Sequence, residues 1–110
     1  MSDVRGIETR PLLSIQPSQF YISQSKLEEV LAWMAVGEKP LFDPLPVKEL
    51  NGRVIFTDGH TRAYAAYTLG MSAIPVYWDT DELDWEAYQR CVEACQRDGI
   101  FTIADLQGRV

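Results

Sequence analysis

The chain has 110 residues, is 46% hydrophobic and carries a formal net charge of −6 at pH 7. This size predicts one domain with its own core, and the acidity disfavours nucleic-acid binding, which normally relies on clustered Lys and Arg. No apolar run approaches the roughly 20 residues that span a membrane, and no secretory signal is recognisable at the N-terminus. We therefore expect a cytoplasmic protein that is not associated with a membrane.

The first third of the chain predicts a strand and a helix. Residues 1–10 show no hydrophobic period and predict an extended leader, whereas residues 12–15 lie between two prolines and predict a short strand. Ser25 and Glu28 have the spacing of a capping box, which predicts a helix start, and Gly37 is suited to its end. A proline-rich segment follows at residues 38–46, and we expect it to be irregular.

The middle of the chain predicts a β-hairpin. Asn51 and Gly52 separate two apolar runs, at residues 47–50 and 53–57, and this pair of residues favours a two-residue turn. The apolar residues 54–56 predict a central strand that is covered on both faces.

Further elements follow the hairpin. We expect a helix over residues 61–69 that ends at Gly70, and then a strand over residues 74–78, with Pro75 indicating an edge or a strand start. A last long helix is predicted from about Asp84 to Gly99.

Two cysteines lie in the last helix. Cys91 and Cys95 are four residues apart, so we expect them to share one helix face. Our interpretation is that both are small buried apolar residues; a redox or metal role is the alternative.

The junction between the predicted central strand and the next helix concentrates the reactive side chains. Asp58 is suited to cap the helix by accepting an N–H near Thr61, and Gly59 permits the sharp turn. A helix start disfavours the cationic Arg62 unless an anion is present, so the pattern indicates a phosphate site. Gly59, His60 and Thr61 would donate N–H groups, with further donors from the Thr61 hydroxyl and Arg62.

Two residues of this junction are also candidates for catalysis. His60 would be a further donor or an acid/base group, and Asp58 a magnesium ligand or proton acceptor. The alternative is a capped helix whose histidine and arginine face water.

The residues around this junction resemble a known superfamily. Leu-Pro-Val at residues 45–47, Gly-Arg-Val-Ile-Phe-Thr-Asp-Gly-His-Thr-Arg-Ala-Tyr-Ala-Ala at 52–66, Leu-Gly at 69–70 and Ile-Pro-Val at 74–76 are similar to the ParB N-terminal/sulfiredoxin-like superfamily. The resemblance covers about residues 11–78 and implies an α/β (α+β) fold with a small mixed sheet. It also implies that Gly59, His60, Thr61 and Arg62 hold nucleotide phosphates. We expect one domain over residues 1–110, with a C-terminal helical extension over residues 79–107.

The branches of this superfamily differ in their loops. The sulfiredoxin branch has a nucleophilic cysteine after the loop glycine, where this chain has His60. The chromosome-partition branch has an arginine-rich loop and a downstream helix-turn-helix domain, whereas this chain has Arg62 alone and no such domain. The loop is most similar to that of the free-serine kinases, which place an acidic base after the first strand. Residues 17–25 hold no acidic residue, so Glu28, Glu29 or Asp58 would have to serve.

These observations leave three functional classes open. The resemblance implies phosphoryl transfer to a small metabolite, or nucleotide hydrolysis, with ATP or ADP and Mg²⁺ as the expected cofactors. The rival is a non-catalytic module that binds a nucleotide or a protein through Phe20, Tyr21 and Trp33. A DNA-partition role is the least favoured, and the oligomeric state is open.

Overall fold

The computed structural model describes residues 7–34, 44–80 and 82–110; within the first range, the side chains of Trp33 and Met34 are outside the description. The chain order alternates strands and helices, which is typical of an α/β domain. The described elements are the strands β1 (Ile7–Pro11), β2 (Leu45–Leu50), β3 (Arg53–Phe56) and β4 (Ala73–Trp78), the helices α1 (Gln24–Met34), α2 (His60–Thr68) and α3 (Trp85–Arg97), and the short 3₁₀ turns Leu12–Ser14 and Ile103–Leu106.

The four strands form one mixed sheet in the order β1-β4-β2-β3. Strand β1 is antiparallel to β4, β2 is antiparallel to β3, and β2 is parallel to β4. A parallel pair needs a crossover, and α2 lies in the connection that returns the chain from the hairpin to β4. The small mixed sheet expected from the sequence is thereby confirmed.

The first strand begins earlier than the sequence predicts. Residues 7–11 form β1, whereas Leu12–Ser14 form a 3₁₀ turn, so the expected strand at residues 12–15 is wrong. The backbone leaves the ladder after Pro11, and the Leu12 N–H donates instead to the Ser72 carbonyl at 2.9 Å. Residues 1–6 of the expected leader lie outside the described residues.

The hairpin is confirmed, but its second strand lies at the sheet edge. Asn51 and Gly52 have φ angles of 52° and 80°, as a type I′ turn requires. The expected central position of β3 is wrong, because among the described strands it pairs with β2 alone. Its outer edge is covered by Gln16, whose N–H donates to Val54 and whose carbonyl accepts from Phe56. This covered edge explains why β3 resembles a central strand in sequence.

Strand β4 is interior, although Pro75 suggested an edge. It pairs with β1 over residues 73–77, but with β2 only from Val76 onward. Pro75 therefore precedes the part of β4 that has a neighbour on both sides, where a missing N–H would cost a ladder hydrogen bond.

The helices follow the predicted order, with differences at their starts. Helix α1 begins at Gln24, and the Ser23 hydroxyl accepts from the Lys26 N–H at 3.4 Å, so the capping box expected at Ser25 is wrong. Its expected end at Gly37 lies outside the described residues. Helix α3 is confirmed: Asp84 caps its start by accepting from the Ala87 N–H.

The hydrophobic core lies against one face of the sheet. Leu45 pairs with Val76 and Val47 pairs with Phe56, so alternation points these four side chains to the same face. Helices α1 and α2 pack together over this core, and the C-terminal segment contributes to it through Ile100, Ile103 and Leu106. Among the described helices, none is long and apolar enough to cross a membrane.

Candidate functional site

The turn before α2 depends on one glycine. Gly59 has a φ of 77°, in the left-handed region that favours glycine. A Cβ atom there would also lie 2.9 Å from Leu45 Cδ2 and 3.1 Å from Arg62 Nη2. The Arg62 guanidinium therefore folds back over the turn, which is possible because residue 59 has no side chain.

No side chain among the described residues caps the N-terminus of α2. Asp58 Oδ1 accepts from the Gly59 N–H at 2.8 Å and reaches no N–H of the helix, so the cap expected near Thr61 is wrong. The first N–H groups of an α-helix have no acceptor inside the helix. The N–H groups of His60, Thr61 and Arg62 are thus without an acceptor in the described part of the chain. The Gly59 N–H, which the sequence also predicted to donate to a phosphate, is instead bound to Asp58.

Helix α1 forms the opposite wall of a cavity at this helix start. The cavity has a volume of about 590 Å³, within the usual range for small-molecule sites. Lys26 and Glu29 line it from α1, together with Val30, at positions i, i+3 and i+4 of one helix face. The lining residues are Gln19, Ser23, Lys26, Glu29, Val30, Asp58, Gly59, His60, Thr61 and Arg62.

The formal charges of the side chains that line this cavity sum to zero. Lys26 and Arg62 are cationic, whereas Glu29 and Asp58 are anionic. Formal charge alone therefore gives the cavity no preference for an anion. Any such preference must come from the directed N–H groups at the start of α2 and from the position of the guanidinium.

His60 is buried beneath the turn. Its ring Nε2 accepts from the Ser18 N–H at 2.9 Å, which places the proton of the neutral ring on Nδ1. Burial lowers the pKa of His60 to about 4, although the nearby Asp58 partly opposes this shift. Within the described part of the chain, Nδ1 has no hydrogen-bond partner and is itself buried. This geometry argues against the acid/base role expected for His60 and leaves its backbone N–H for the cavity.

Phe20, Tyr21 and the two cysteines do not line this cavity. Phe20 is half-buried against the core, while Tyr21 is 67% exposed and lies under the Arg109 guanidinium. Cys95 is buried, which raises the pKa of its thiol to about 11, but Cys91 is exposed. The expectation that both cysteines are buried is therefore wrong for Cys91. In the described residues, no three His, Cys, Asp or Glu side chains are grouped to hold a metal.

Comparison with solved structures identifies the fold. Sulfiredoxin from Arabidopsis thaliana superposes with a TM-score of 0.56 at 23% identity, over 68% of this chain and 85% of that one. SbnI with a C-terminal truncation, from Staphylococcus aureus, gives a TM-score of 0.59 at 20% identity, over 68% of this chain and 31% of that one. The chain has the ParB/sulfiredoxin-like fold.

A Pnob8-like ParB-N domain extends the likeness, with a TM-score of 0.55 at 18% identity over 83% of this chain and 37% of that one. This chain thus spans well under half of the SbnI and ParB-N chains. No family model and no curated protein matches the sequence. At these identities, the ParB/sulfiredoxin-like likeness shows the fold alone.

Proposed function

We propose that this chain binds the phosphate groups of a nucleotide, ATP or ADP with Mg²⁺, in the cavity between α1 and the start of α2. The observation that carries the proposal is the uncapped N-terminus of α2, which opens into a cavity with two cationic side chains. A helix start of this kind presents several N–H groups and a positive dipole end to one anion.

Each cavity residue has a role in this proposal. The N–H groups of residues 60–62 and the Thr61 hydroxyl donate to phosphate oxygens, and the Arg62 guanidinium offers two parallel donors. Lys26 reaches the same phosphate chain from α1 as a point charge. Gly59 keeps the turn open so that the phosphate can approach the backbone.

The carboxylates of the cavity also suit magnesium. Mg²⁺ is typically held by one or two carboxylates together with substrate phosphates, so a complete protein cage is not required. Asp58 and Glu29 are the carboxylates that line the cavity, and Asp58 is the one that would hold Mg²⁺. When bound, Mg²⁺ would neutralise phosphate charge during transfer of a phosphoryl group.

For catalysis we propose phosphoryl transfer to the hydroxyl of a small metabolite, with Glu29 as the proton acceptor. Support comes from its position in the cavity wall, whereas the side chain of Glu28 accepts from Gln24 along the helix surface. Asp58 is the second candidate for this role, because it lines the same cavity and is exposed. His60 is omitted, since its ring nitrogens are engaged or buried.

Thermal unfolding with millimolar ATP, ADP and CTP, each with MgCl₂, tests nucleotide binding. A ligand that binds the folded state raises the melting temperature by mass action. Arg62→Ala should weaken binding at least about tenfold, because it removes charge-assisted hydrogen bonds. Arg53→Ala is the matched control, since Arg53 is exposed on the hairpin. If none of the nucleotides shifts the wild-type melting temperature, the proposal is wrong.

Turnover separates the enzyme from a non-catalytic binding module. Release of ADP from ATP, of AMP from ADP and of free phosphate is measured with a panel of hydroxylated metabolites, for the wild type and for Glu29→Gln. We expect release with at least one acceptor and its loss in the variant, while the dissociation constant for nucleotide stays within about threefold. Binding without any release would favour the binding module.

A further inference from the structure

Thr57 immediately precedes the Asp58 turn and is held by three hydrogen bonds. Its N–H donates to the Pro46 carbonyl at 3.2 Å, as an extension of the hairpin ladder. Its carbonyl accepts from Tyr88 Oη at 2.8 Å, and its hydroxyl donates to Asp79 Oδ2 at 2.8 Å. Thr57 is 8% exposed; its bond to Asp79 is buried and its bond to Tyr88 is partly buried, which strengthens both relative to bonds in water.

The two side-chain partners of Thr57 are themselves anchored. The Asp79 N–H donates to the Val47 carbonyl at 2.8 Å, and its carbonyl accepts from Lys48 Nζ at 3.2 Å. The Lys48 ammonium also lies 5.5 Å from the centre of the Trp85 ring, which itself packs against Tyr88. The start of α3 is thereby attached to β2. Burial raises the pKa of the Tyr88 phenol, so at neutral pH it is a hydrogen-bond donor.

This attachment determines where the next backbone N–H points. The peptide between Thr57 and Asp58 is trans and planar, so its C=O and N–H point in opposite directions. Because the carbonyl is directed to Tyr88, the Asp58 N–H is directed away from α3. Among the described residues, no hydrogen-bond acceptor is found for this N–H. It is therefore an unpaired donor on a residue that lines the cavity together with residues 60–62.

We propose that Tyr88 and Asp79 are positioning residues of the nucleotide site, which hold the Thr57 peptide so that the Asp58 N–H donates to a phosphate oxygen. This inference rests on the proposed nucleotide binding and extends it to α3. Without the two bonds, the Thr57–Asp58 peptide could rotate and turn a carbonyl oxygen toward the phosphate. A phosphate site needs donors that are fixed before the ligand arrives.

Tyr88→Phe is the first test, since it removes the hydroxyl and keeps the ring against Trp85. The dissociation constants for ATP, ADP and CTP with Mg²⁺ are measured by calorimetry at a temperature where every variant is folded. We expect about a tenfold weakening, the consequence of losing one well-directed charge-assisted hydrogen bond. Tyr21→Phe is the control, because the exposed Tyr21 ring lies against Arg109 and does not line the cavity; this variant should bind as the wild type does.

A second pair of variants keeps the inference falsifiable if Tyr88→Phe unfolds. Thr57→Val removes the hydroxyl that Asp79 accepts, whereas Thr57→Ser retains it. We expect weakened nucleotide binding in the valine variant and near-normal binding in the serine variant. A purely structural role would lower the melting temperature of both Tyr88→Phe and Thr57→Val without changing their dissociation constants.

The amide resonance of Asp58 gives a direct readout. Addition of nucleotide should shift the ¹⁵N–¹H signal of Asp58 strongly in the wild type and weakly in Tyr88→Phe. If the wild type binds no nucleotide, the proposed function and this inference fall together. If the wild type binds, Arg62→Ala does not, and Tyr88→Phe equals Tyr21→Phe, the positioning role alone is wrong.

Discussion

At the scale of single residues, two separate constraints favour glycine at position 59. Its φ of 77° disfavours any side chain, and its Cα faces both Leu45 and the Arg62 guanidinium. Gly70 has a similar φ of 83°, but a Cβ atom there would meet open space. The two glycines flank α2. Comparing them therefore distinguishes the cost of a strained backbone, which both share, from the cost of a close contact, which only Gly59 has.

We expect Gly59→Ala to destabilise the protein by about 1–3 kcal/mol more than Gly70→Ala. Both variants have the cost of a left-handed alanine, about 1 kcal/mol, but only Gly59→Ala also forces Leu45 and Arg62 to move. Urea unfolding of the two variants measures the difference. Equal losses would mean that the contact is relieved at little cost, and the guanidinium would then have room to leave the turn.

The candidate site is partly readable from sequence because residues 58–62 are consecutive. A strand followed by this polar turn brings its donors together without any knowledge of the fold. Lys26 was not predicted, and Glu29 could be named only as one of three candidate bases, since both reach the cavity through packing of α1 against α2. The burial of His60 could not be predicted either, because its ring accepts a hydrogen bond from Ser18, which is distant in sequence.

At the scale of elements, α3 is the most amphipathic of the described α-helices. Asp84 caps it, Glu86 lies in its first turn and Arg97 in its last, each favourable toward the helix dipole. The sequence therefore predicts its bounds well. Strand position in the sheet is harder to predict: β3 is apolar at an edge because Gln16 covers it, and β4 contains Pro75 in an interior strand.

Asp84→Ala should reduce the free energy of unfolding by about 1 kcal/mol, the usual cost of losing an N-cap. The loss should be local first, with faster amide hydrogen exchange in the first turn of α3, where Trp85 and Tyr88 lie. Glu82→Ala is the control, because Glu82 is exposed and precedes the helix. If both variants lose the same stability, the cap contributes nothing beyond its charge.

At the scale of the whole molecule, His60 joins two segments that are distant in sequence. It connects the start of α2 to Ser18, whose hydroxyl donates to the Phe56 carbonyl at the end of β3. The neutral ring is required for this acceptor role, since a protonated imidazole has no free lone pair. The connection therefore depends on pH.

Acid should destabilise the protein through this residue. The pKa of His60 is about 4 in the folded chain, whereas an unperturbed histidine, as in the unfolded chain, has a pKa of 6.5. Between these two pH values the unfolded state therefore binds more protons. Its contribution is complete above pH 6.5 and falls by about 3 kcal/mol as the pH decreases toward 4.

Unfolding free energies at pH 7 and pH 4.5, for the wild type and His60→Gln, measure this contribution. Glutamine retains an oxygen that can accept from the Ser18 N–H but does not titrate, so its stability should depend less steeply on pH. Parallel curves for the two proteins would contradict the buried neutral histidine.

Gln16 has a consequence for how the sheet can grow. Its backbone occupies the outer hydrogen-bonding groups of β3, and its side-chain amide donates to the Ile100 carbonyl, so the C-terminal segment secures it there. The opposite edge of the sheet is β1, in which Ile7 is 62% exposed. Among the described strands, β1 is therefore the one from which a strand of a neighbouring chain could extend this sheet, at the edge opposite β3.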